Sequence, residues 1–534
     1  LYMLLEEKLP QKYVLLHGNI ITMDDRNPKA QAIAVNNGRI IRVGSANDMD
    51  SFLEQGWSYC DLEGKTVVPG FIDCHSHLDL TGIMHIGYQV TNASTMHELV
   101  TMIQNVAATV PEGETVLFFG LDETKLKERR VPTRGDLDQA SIKHPIVVLH
   151  YTWHQTFINS KAIELFQVTP KQEGTFVYEG KLTGVLKDPV AFAINSAVIR
   201  QIPEERIENG IAQVVNEALQ HGLTTIHTMQ GAMGLDRLTE MMVRLQGKLP
   251  VHLLFWEQSD DVESAIKNKL LRIGGCGSMQ ADGEVGSNTA AIFERKSERL
   301  VHRGLLNYSQ EHWDHLVLEA HKNRLQFAAH AEGEAGIEAV LSALEKAQRK
   351  CKRLDSRHRI EHMELPTLTQ LKRMAKLDVL ASMQPAFANV AQEDFEKLTE
   401  QYGERRMRFF NPMRSVRDLG VKLVGGSDSP VTPYDPLWGM HCALNHPVKE
   451  ERLSVQEVLR MFTICAAYSG FEENEKGTIE EKKLADLVIL SKDPFRVAPE
   501  QFWQSVKVSA VLVKEKLYRV SSSEKKVFEK RIKH

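Results

Sequence analysis

Short apolar runs alternate with amphipathic helical stretches through the middle of the chain, which predicts an α/β fold with a parallel sheet; about eight such units predict a closed TIM-type (β/α)8 barrel. The two ends have another texture. Residues 13–43 and the stretch after Gly477 set short apolar runs between turn residues, as small antiparallel strands do. A barrel inserted in a small β-sandwich that the N- and C-terminal segments build together accounts for both patterns. The expected divisions are a first sandwich half over residues 1–67, the barrel over 68–471, and a second half with a charged tail over 472–534.

The bulk numbers agree with a large enzyme-like domain. Of 534 residues, 42% are hydrophobic and 25% charged, enough to bury a sizeable core. A formal net charge of -5 is too small to mark a surface for nucleic acid or anionic lipid. The expected partner is a small-molecule substrate, with no nucleic acid and no membrane, and a homodimer is the assembly left open. Cys60, Cys74, Cys276, Cys351, Cys442 and Cys465 are scattered without a CxxC pair, as in a reducing compartment. Leu1 to Leu5 runs straight into Glu6, Glu7 and Lys8 without a basic leader, and no window approaches the roughly 18 apolar residues of a membrane helix. A cytoplasmic location is expected.

At the N-terminal end, YVLLHGNIITM is followed by AQAIAVNNGRIIRVGS, with Asn36, Asn37 and Gly38 at a hairpin turn. GTIEEKKLADLVIL and SAVLVKEKLYRV repeat the texture near the C-terminus. Because an isolated hairpin is marginal in water, the two ends are expected to pair as one antiparallel sandwich. Between them, the clearest strands are TVVPGFID, LTTIHTM, VHLLFW, LQFAAH, RIEH, DVLASMQP and KLVGGSD, with helices such as EHWDHLVLEAHKNR and EAGIEAVLSALEKAQRK. The stretch from about residue 85 to 203 is too long for one βα loop and is expected to cap the barrel mouth.

His75 and His77 stand at i and i+2 after TVVPGFIDC, a spacing that points both imidazoles to one strand face. In a chain with 21 histidines chance supplies such a pair, so context decides. A wholly apolar strand breaks here into polar residues, as a barrel strand does at its catalytic end. LQFAAHAEGE ends the same way at His330, RHRIEHME at His362 and VKLVGGSDSPV at Asp428. Any one of these alone would be an ordinary core or surface residue. Four strand ends carrying four histidines and one aspartate point to zinc or a similar divalent ion with a position open to water.

VVPGFIDCHSHL, VPTRGDLDQA, WHQTFINSKAI, GVLKDP, ADGEVGSNTAAI, AAHAEGEAGIEAVL, RIEHMELPT, GGSDSPVTPYDPLWGM and LADLVILSKDPF follow one another over nearly the whole chain. In these segments the chain resembles the amidohydrolase superfamily, in the branch of N-substituted formamide deformylase and its uncharacterised relatives, amidohydrolase family 3. The resemblance implies the split sandwich, the ligand set above, and a cap whose His154 and Asn159 match a motif facing the site. One departure stands out. Relatives commonly carry a lysine four residues before a DG pair on the fourth strand, which bridges two metals once carbamylated; here Asp282–Gly283 is the pair and the position holds Ser278. One divalent ion per chain is therefore expected, bound by His75, His77, His330 and Asp428, with His362 ligating it or orienting its water. Cys276 is a candidate substitute ligand, although a small buried residue in a Gly-rich strand is its plainer reading.

The expected reaction is hydrolysis of an amide-type C–N bond by a metal-activated water. Asp428 would shuttle the proton, His362 would bind the metal or the attacking oxygen, and His154 would polarise the substrate carbonyl. A heterocycle deaminase, or another C–N or C–O hydrolysis, is the alternative; Glu332 and Glu334 follow His330 where deaminases keep an acid, but HAEGEA matches the hydrolase spacing better. A non-catalytic scaffold is disfavoured because all five ligand positions are filled. Trp153, Phe157, Trp256 and Trp438 would line an apolar pocket, unless they are core.

Overall fold

Eight parallel strands form the central sheet of the computed structural model, which describes residues 5–520 except 152, 154, 188, 232–234, 287, 297–298 and 391–394. They are β1 (Phe71–Ser76), β2 (Leu223–Gln230), β3 (His252–Glu257), β4 (Arg272–Gln280), β5 (Gln326–Ala331), β6 (Arg359–His362), β7 (Leu380–Met383) and β8 (Leu423–Gly425). Sheet order follows chain order. The last strand returns to the first: Asp428 N–H donates to His75 O at 2.7 Å and His77 N–H to Ser429 O at 2.8 Å. This is the TIM-type barrel. β1, β2, β5, β6 and β7 are buried along their whole length, which is why parallel strands covered on both faces read as continuous apolar runs.

Two of the helices between strands start at side-chain caps. Ser309 accepts from His312 N–H ahead of Gln310–Lys322, and Thr367 and Gln370 make a reciprocal capping box at Leu368–Leu377. In Glu334–Lys350, Ile337, Val340, Leu341 and Leu344 are buried, the stripe that a 3.6-residue period produces.

TVVPGFID is not one strand. Thr66–Pro69 pairs antiparallel with Leu487–Leu490, and after Gly70 the chain enters β1. A Cβ at Gly70 would lie 2.3 Å from Thr224 Oγ1, so the crossing from one sheet to the other leaves room only for hydrogen. Thr66–Pro69 belongs to a seven-stranded sheet ordered Leu5–Lys8, Lys516–Arg519, Val508–Val513, Leu487–Leu490, Thr66–Pro69, Asn19–Ile21, Lys29–Ala30. A four-stranded sheet is ordered Arg39–Gly44, Ala32–Asn36, Lys12–Leu16, Ser58–Asp61. Leu15, Ile33 and Val35 of the smaller sheet share one core with Val67, Leu487, Ile489 and Leu512 of the larger.

Pairing in these sheets corrects the purely antiparallel expectation. Asn19–Ile21 runs parallel to Thr66–Pro69, and Lys12–Leu16 parallel to Ser58–Asp61. The expected hairpin is present, with Asn37 and Gly38 both at positive φ between Ala32–Asn36 and Arg39–Gly44.

Residues 78–214 and 231–245 form a second compact unit. Its six-stranded mixed sheet is ordered Tyr88–Gln89, Val116–Leu121, Ile146–His150, Gln155–Ile158, Lys181–Lys187, Thr175–Tyr178. Leu99, Ile103, Phe118, Val148 and Phe157 belong to its own core. Among the described residues no helix is long and apolar enough to cross a membrane.

Candidate metal centre

The side chains of His75, His77, His330, His362 and Asp428 come from the ends of β1, β5, β6 and β8 and are all buried. His75 and His362 ring centroids are 4.8 Å apart, those of His330 and His362 4.5 Å, and those of His75 and His77 5.4 Å. Asp428 Oδ1 lies 3.2 Å from His75 Nε2 and 3.0 Å from His77 Nε2. The backbone is bent to achieve this: His362 and Asp428 sit at φ +69° and +56°, left-handed conformations costing roughly 1–3 kcal/mol when a non-glycine residue adopts them. Gly426 lets β8 pass close to β1, since a Cβ there would meet His75 N at 2.5 Å.

Each histidine is oriented from behind. His75 Nδ1–H donates to Glu361 at 2.6 Å, which leaves Nε2 as a bare lone pair in the neutral ring. Glu361 is held in turn by both arms of Arg359, each at 2.8 Å. The same guanidinium donates to Cys74 O and Ser382 Oγ and lies 4.4 Å over the Trp256 ring. His362 Nδ1–H donates to Gln384 Oε1 at 2.7 Å, and His330 Nε2 faces Gly283 O at 3.3 Å. His77 Nδ1 meets the Gln258 amide at 3.3 Å.

Cys276 lies inside this group. Its Sγ is 3.4 Å from His75 Nε2 and 3.3 Å from His362 Nε2. The thiol is buried, as its plainer reading required, but it faces imidazole nitrogens rather than packing among apolar side chains. The side chain of Ser278 lies outside the described residues.

The electrostatics call for positive charge. Burial alone would lower the His75 pKa, but the facing Cys276, Glu361 and Asp428 lift it well above the usual value. Against the same burial, the facing Asp428 and Cys276 raise His77 to about 10. Burial works against the Asp428 carboxylate too, yet His75 and His77 hold its pKa well below the ordinary range. Burial would also raise Cys276, whose pKa His75 and His362 bring well below that of a free thiol. Glu361 stays ionised, lowered to about 2 by Arg359 and His75 in spite of burial. Anions thus surround imidazoles that need protons to balance them, and a divalent cation can replace those protons. Asp428 Oδ1 has no hydrogen-bond donor, so carboxylate, thiol sulfur and imidazole lone pairs converge as acceptors. Among the described residues, three overlapping groups have ligand atoms close enough for one ion: His75, His77, Asp428; His75, Cys276, His362; and His330, Glu332, His362.

Other expected site residues fall elsewhere. His154 lies outside the described residues. Asn159 spends its side chain locally, capping Ser160–Leu165 through Ala162 N–H and bonding Ile146 N, Ser141 O and His144 O, which corrects its expected orientation toward the site. Trp256 packs between the Arg272 and Arg359 guanidiniums in the barrel interior, Phe157 lies in the second unit's core, and Trp153 packs on Phe119 of that unit. Trp438 stacks on His441 and Trp503. Each of the four aromatics thus has ring or guanidinium partners or a place in a core. Glu332 accepts from Val285 N–H at 2.6 Å, and Glu334 from Phe293 N–H at 2.9 Å and from Arg406. Asp282 of the DG pair clamps the chain after β5, accepting from the backbone N–H of Glu332, Gly333 and Ala291. Glu361, Arg359, Gln258 and Gln384 were not foreseen. The available signal was Arg359 and Glu361 at i and i+2 inside RIEH, two charges in a strand otherwise reading as fully buried.

Comparison with known proteins bears on this geometry. Residues 59–518 match the amidohydrolase family. The N-substituted formamide deformylase of Arthrobacter pascens is 28% identical over 513 residues, covering 90% of this chain and 93% of that protein. The putative amidohydrolase YtcJ of Bacillus subtilis (strain 168) is 25% identical over 511 residues, covering 91% and 95%. An uncharacterized metal-dependent hydrolase from Pyrococcus furiosus shares the fold with a TM-score of 0.74 at 24% identity, covering 91% of this chain and 100% of that one.

Proposed function

This chain belongs to the amidohydrolase family and is a hydrolase of carbon–nitrogen bonds other than peptide bonds; we propose that it cleaves a small N-substituted amide at a divalent cation held by His75, His77, His330, His362 and Asp428. The observation that carries the reading is the buried Asp428 Oδ1, which meets two imidazole Nε2 atoms and no hydrogen-bond donor. Imidazole with carboxylate favours zinc among the available ions. The ligand atoms of His75, His77 and Asp428 lie within reach of one ion. When bound, it supplies an acidified water and a Lewis acid for the carbonyl.

The chain's own groups do the rest. Asp428, kept ionised, takes the proton of the attacking water and delivers it to the leaving nitrogen. Glu361 and Gln384 hold His75 and His362 in the tautomers that present Nε2 to the centre. We read the two terminal sheets, joined by one core, as the sandwich into which the barrel is inserted.

N-substituted formamides are the first substrates to test, because the deformylase relative carries that activity in its name. Metal-reconstituted protein should be screened against N-formyl and N-acyl amines for amine release, with ammonia release from heterocycles followed in parallel. Amine release is expected. Ammonia release alone would replace this reading with that of a deaminase.

A further inference from the structure

We propose that Cys276 is a shared metal ligand whose sulfur bridges two divalent ions, one bound by His75, His77 and Asp428 and the other by His330 and His362. The inference rests on the reading of this site as a metal centre and deepens it by adding a ligand and a second ion.

Position comes first. Sγ is 3.4 Å from His75 Nε2 and 3.3 Å from His362 Nε2, so it touches one histidine of each set. Donor atoms about 2.0–2.3 Å from a tetrahedral zinc lie about 3.3–3.7 Å from one another, and these contacts have the length of such an edge. The hydrogen-bond accounting comes second. Glu361 occupies His75 Nδ1 and Gln384 occupies His362 Nδ1, which turns two lone pairs toward the sulfur. One S–H can satisfy only one of them, whereas two cations beside a thiolate satisfy both, the thiol proton leaving to solvent on binding.

The third argument is charge. Two divalent ions a few ångströms apart repel strongly and need an anion between them. The single-ion expectation rested on Ser278 in place of the bridging lysine, with Cys276 kept only as a candidate substitute ligand. Gly274, Gly275 and Gly277, all at positive φ, bend β4 so that Cys276 reaches the centre and can serve as that anion. A thiolate suits zinc, cobalt or iron better than magnesium or calcium.

Cobalt(II) substitution tests the proposal on the intact protein. The chain saturated with Co(II) should bind two equivalents by elemental analysis and show near-ultraviolet sulfur-to-cobalt charge transfer. Cys276→Ser, with folding checked by circular dichroism, should lose that absorption and one equivalent. Visible cobalt bands without charge transfer in the unmutated protein would overturn the thiolate ligand. Charge transfer at saturation with one equivalent would overturn the bridge. Failure to bind cobalt at all would overturn the metal centre itself, and this inference with it.

Discussion

Two groups of buried histidines can be set side by side among the described residues, and they differ in what their ring nitrogens face. At the far side of the sheet, Phe327 N–H donates to His358 Nδ1 at 3.0 Å, His358 Nε2–H donates to His321 Nδ1 at 2.8 Å, and His321 Nε2–H donates to Cys351 O at 2.7 Å. Four ring nitrogens form one closed chain with every role filled. Around His75, His77 and His362 the outward nitrogens are partnered by Glu361, Gln258 and Gln384, while the inward ones face Asp428 and Cys276. Burial is the same in both places. What separates a packing pair from a metal centre is where the acceptors point.

Mutation should separate the two groups most clearly at the ligands. His75→Ala with His77→Ala should reduce hydrolysis to background and strip metal measured by elemental analysis, while circular dichroism stays that of a folded chain. Full metal retention would break the comparison. Asp428→Asn keeps the shape and removes the base; its turnover should fall by about 10²–10⁴-fold, measured as kcat on the best amide from the screen. A near-normal rate would take Asp428 out of the proton path.

Smaller effects sharpen the contrast. Glu361→Gln weakens the acceptor behind His75 and leaves Arg359 without its carboxylate, so metal affinity should drop by about 10–100-fold in competition with a chromophoric chelator. An unchanged affinity would mean that Glu361 serves only the fold. His358→Gln should leave metal content alone and cost about 1–3 kcal/mol of stability in denaturant unfolding.

The same His358 variant carries a pH signature. Burial, with help from His321 and Arg353, pushes the His358 pKa well below 6.5, so the folded state binds fewer protons than the unfolded one as pH drops beneath that value. The contribution of His358 is therefore fully present above pH 6.5 and declines as pH falls toward the folded-state pKa, by up to about 1.4 kcal/mol per pH unit. His358→Gln should flatten that part of the unfolding free energy between pH 7 and 5. An unchanged slope would show that His358 is not the source of this acid sensitivity.

Much of this was readable from residues alone, for physical reasons that also mark the limit. Barrel strands are covered on both faces, so they appear as apolar runs, and a polar residue ending such a run marks the strand's mouth; His75, His330, His362 and Asp428 stand out as candidates that way, and the fold buries them side by side. The passage from terminal sheet to barrel at Gly70 was hidden because both strands are apolar, and Pro69–Gly70 alone punctuates them. Cys276 was ambiguous because the usual alternation of side chains fails where Gly274, Gly275 and Gly277 take positive φ. Arg359 and Glu361 were visible as letters, but only the fold shows that their ion pair ends on His75. The sheet within residues 78–214 left no trace in a reading that treated this stretch as one insertion.

The most direct test of the central claim is the metal itself. The protein, purified without added metal, should be analysed for elements, treated with chelator and assayed before and after zinc is returned. The account predicts at least one equivalent of divalent transition metal per chain, loss of amide hydrolysis with the metal, and recovery of both on adding zinc. A chelator-treated chain free of metal that hydrolyses its amide at the original rate would contradict it.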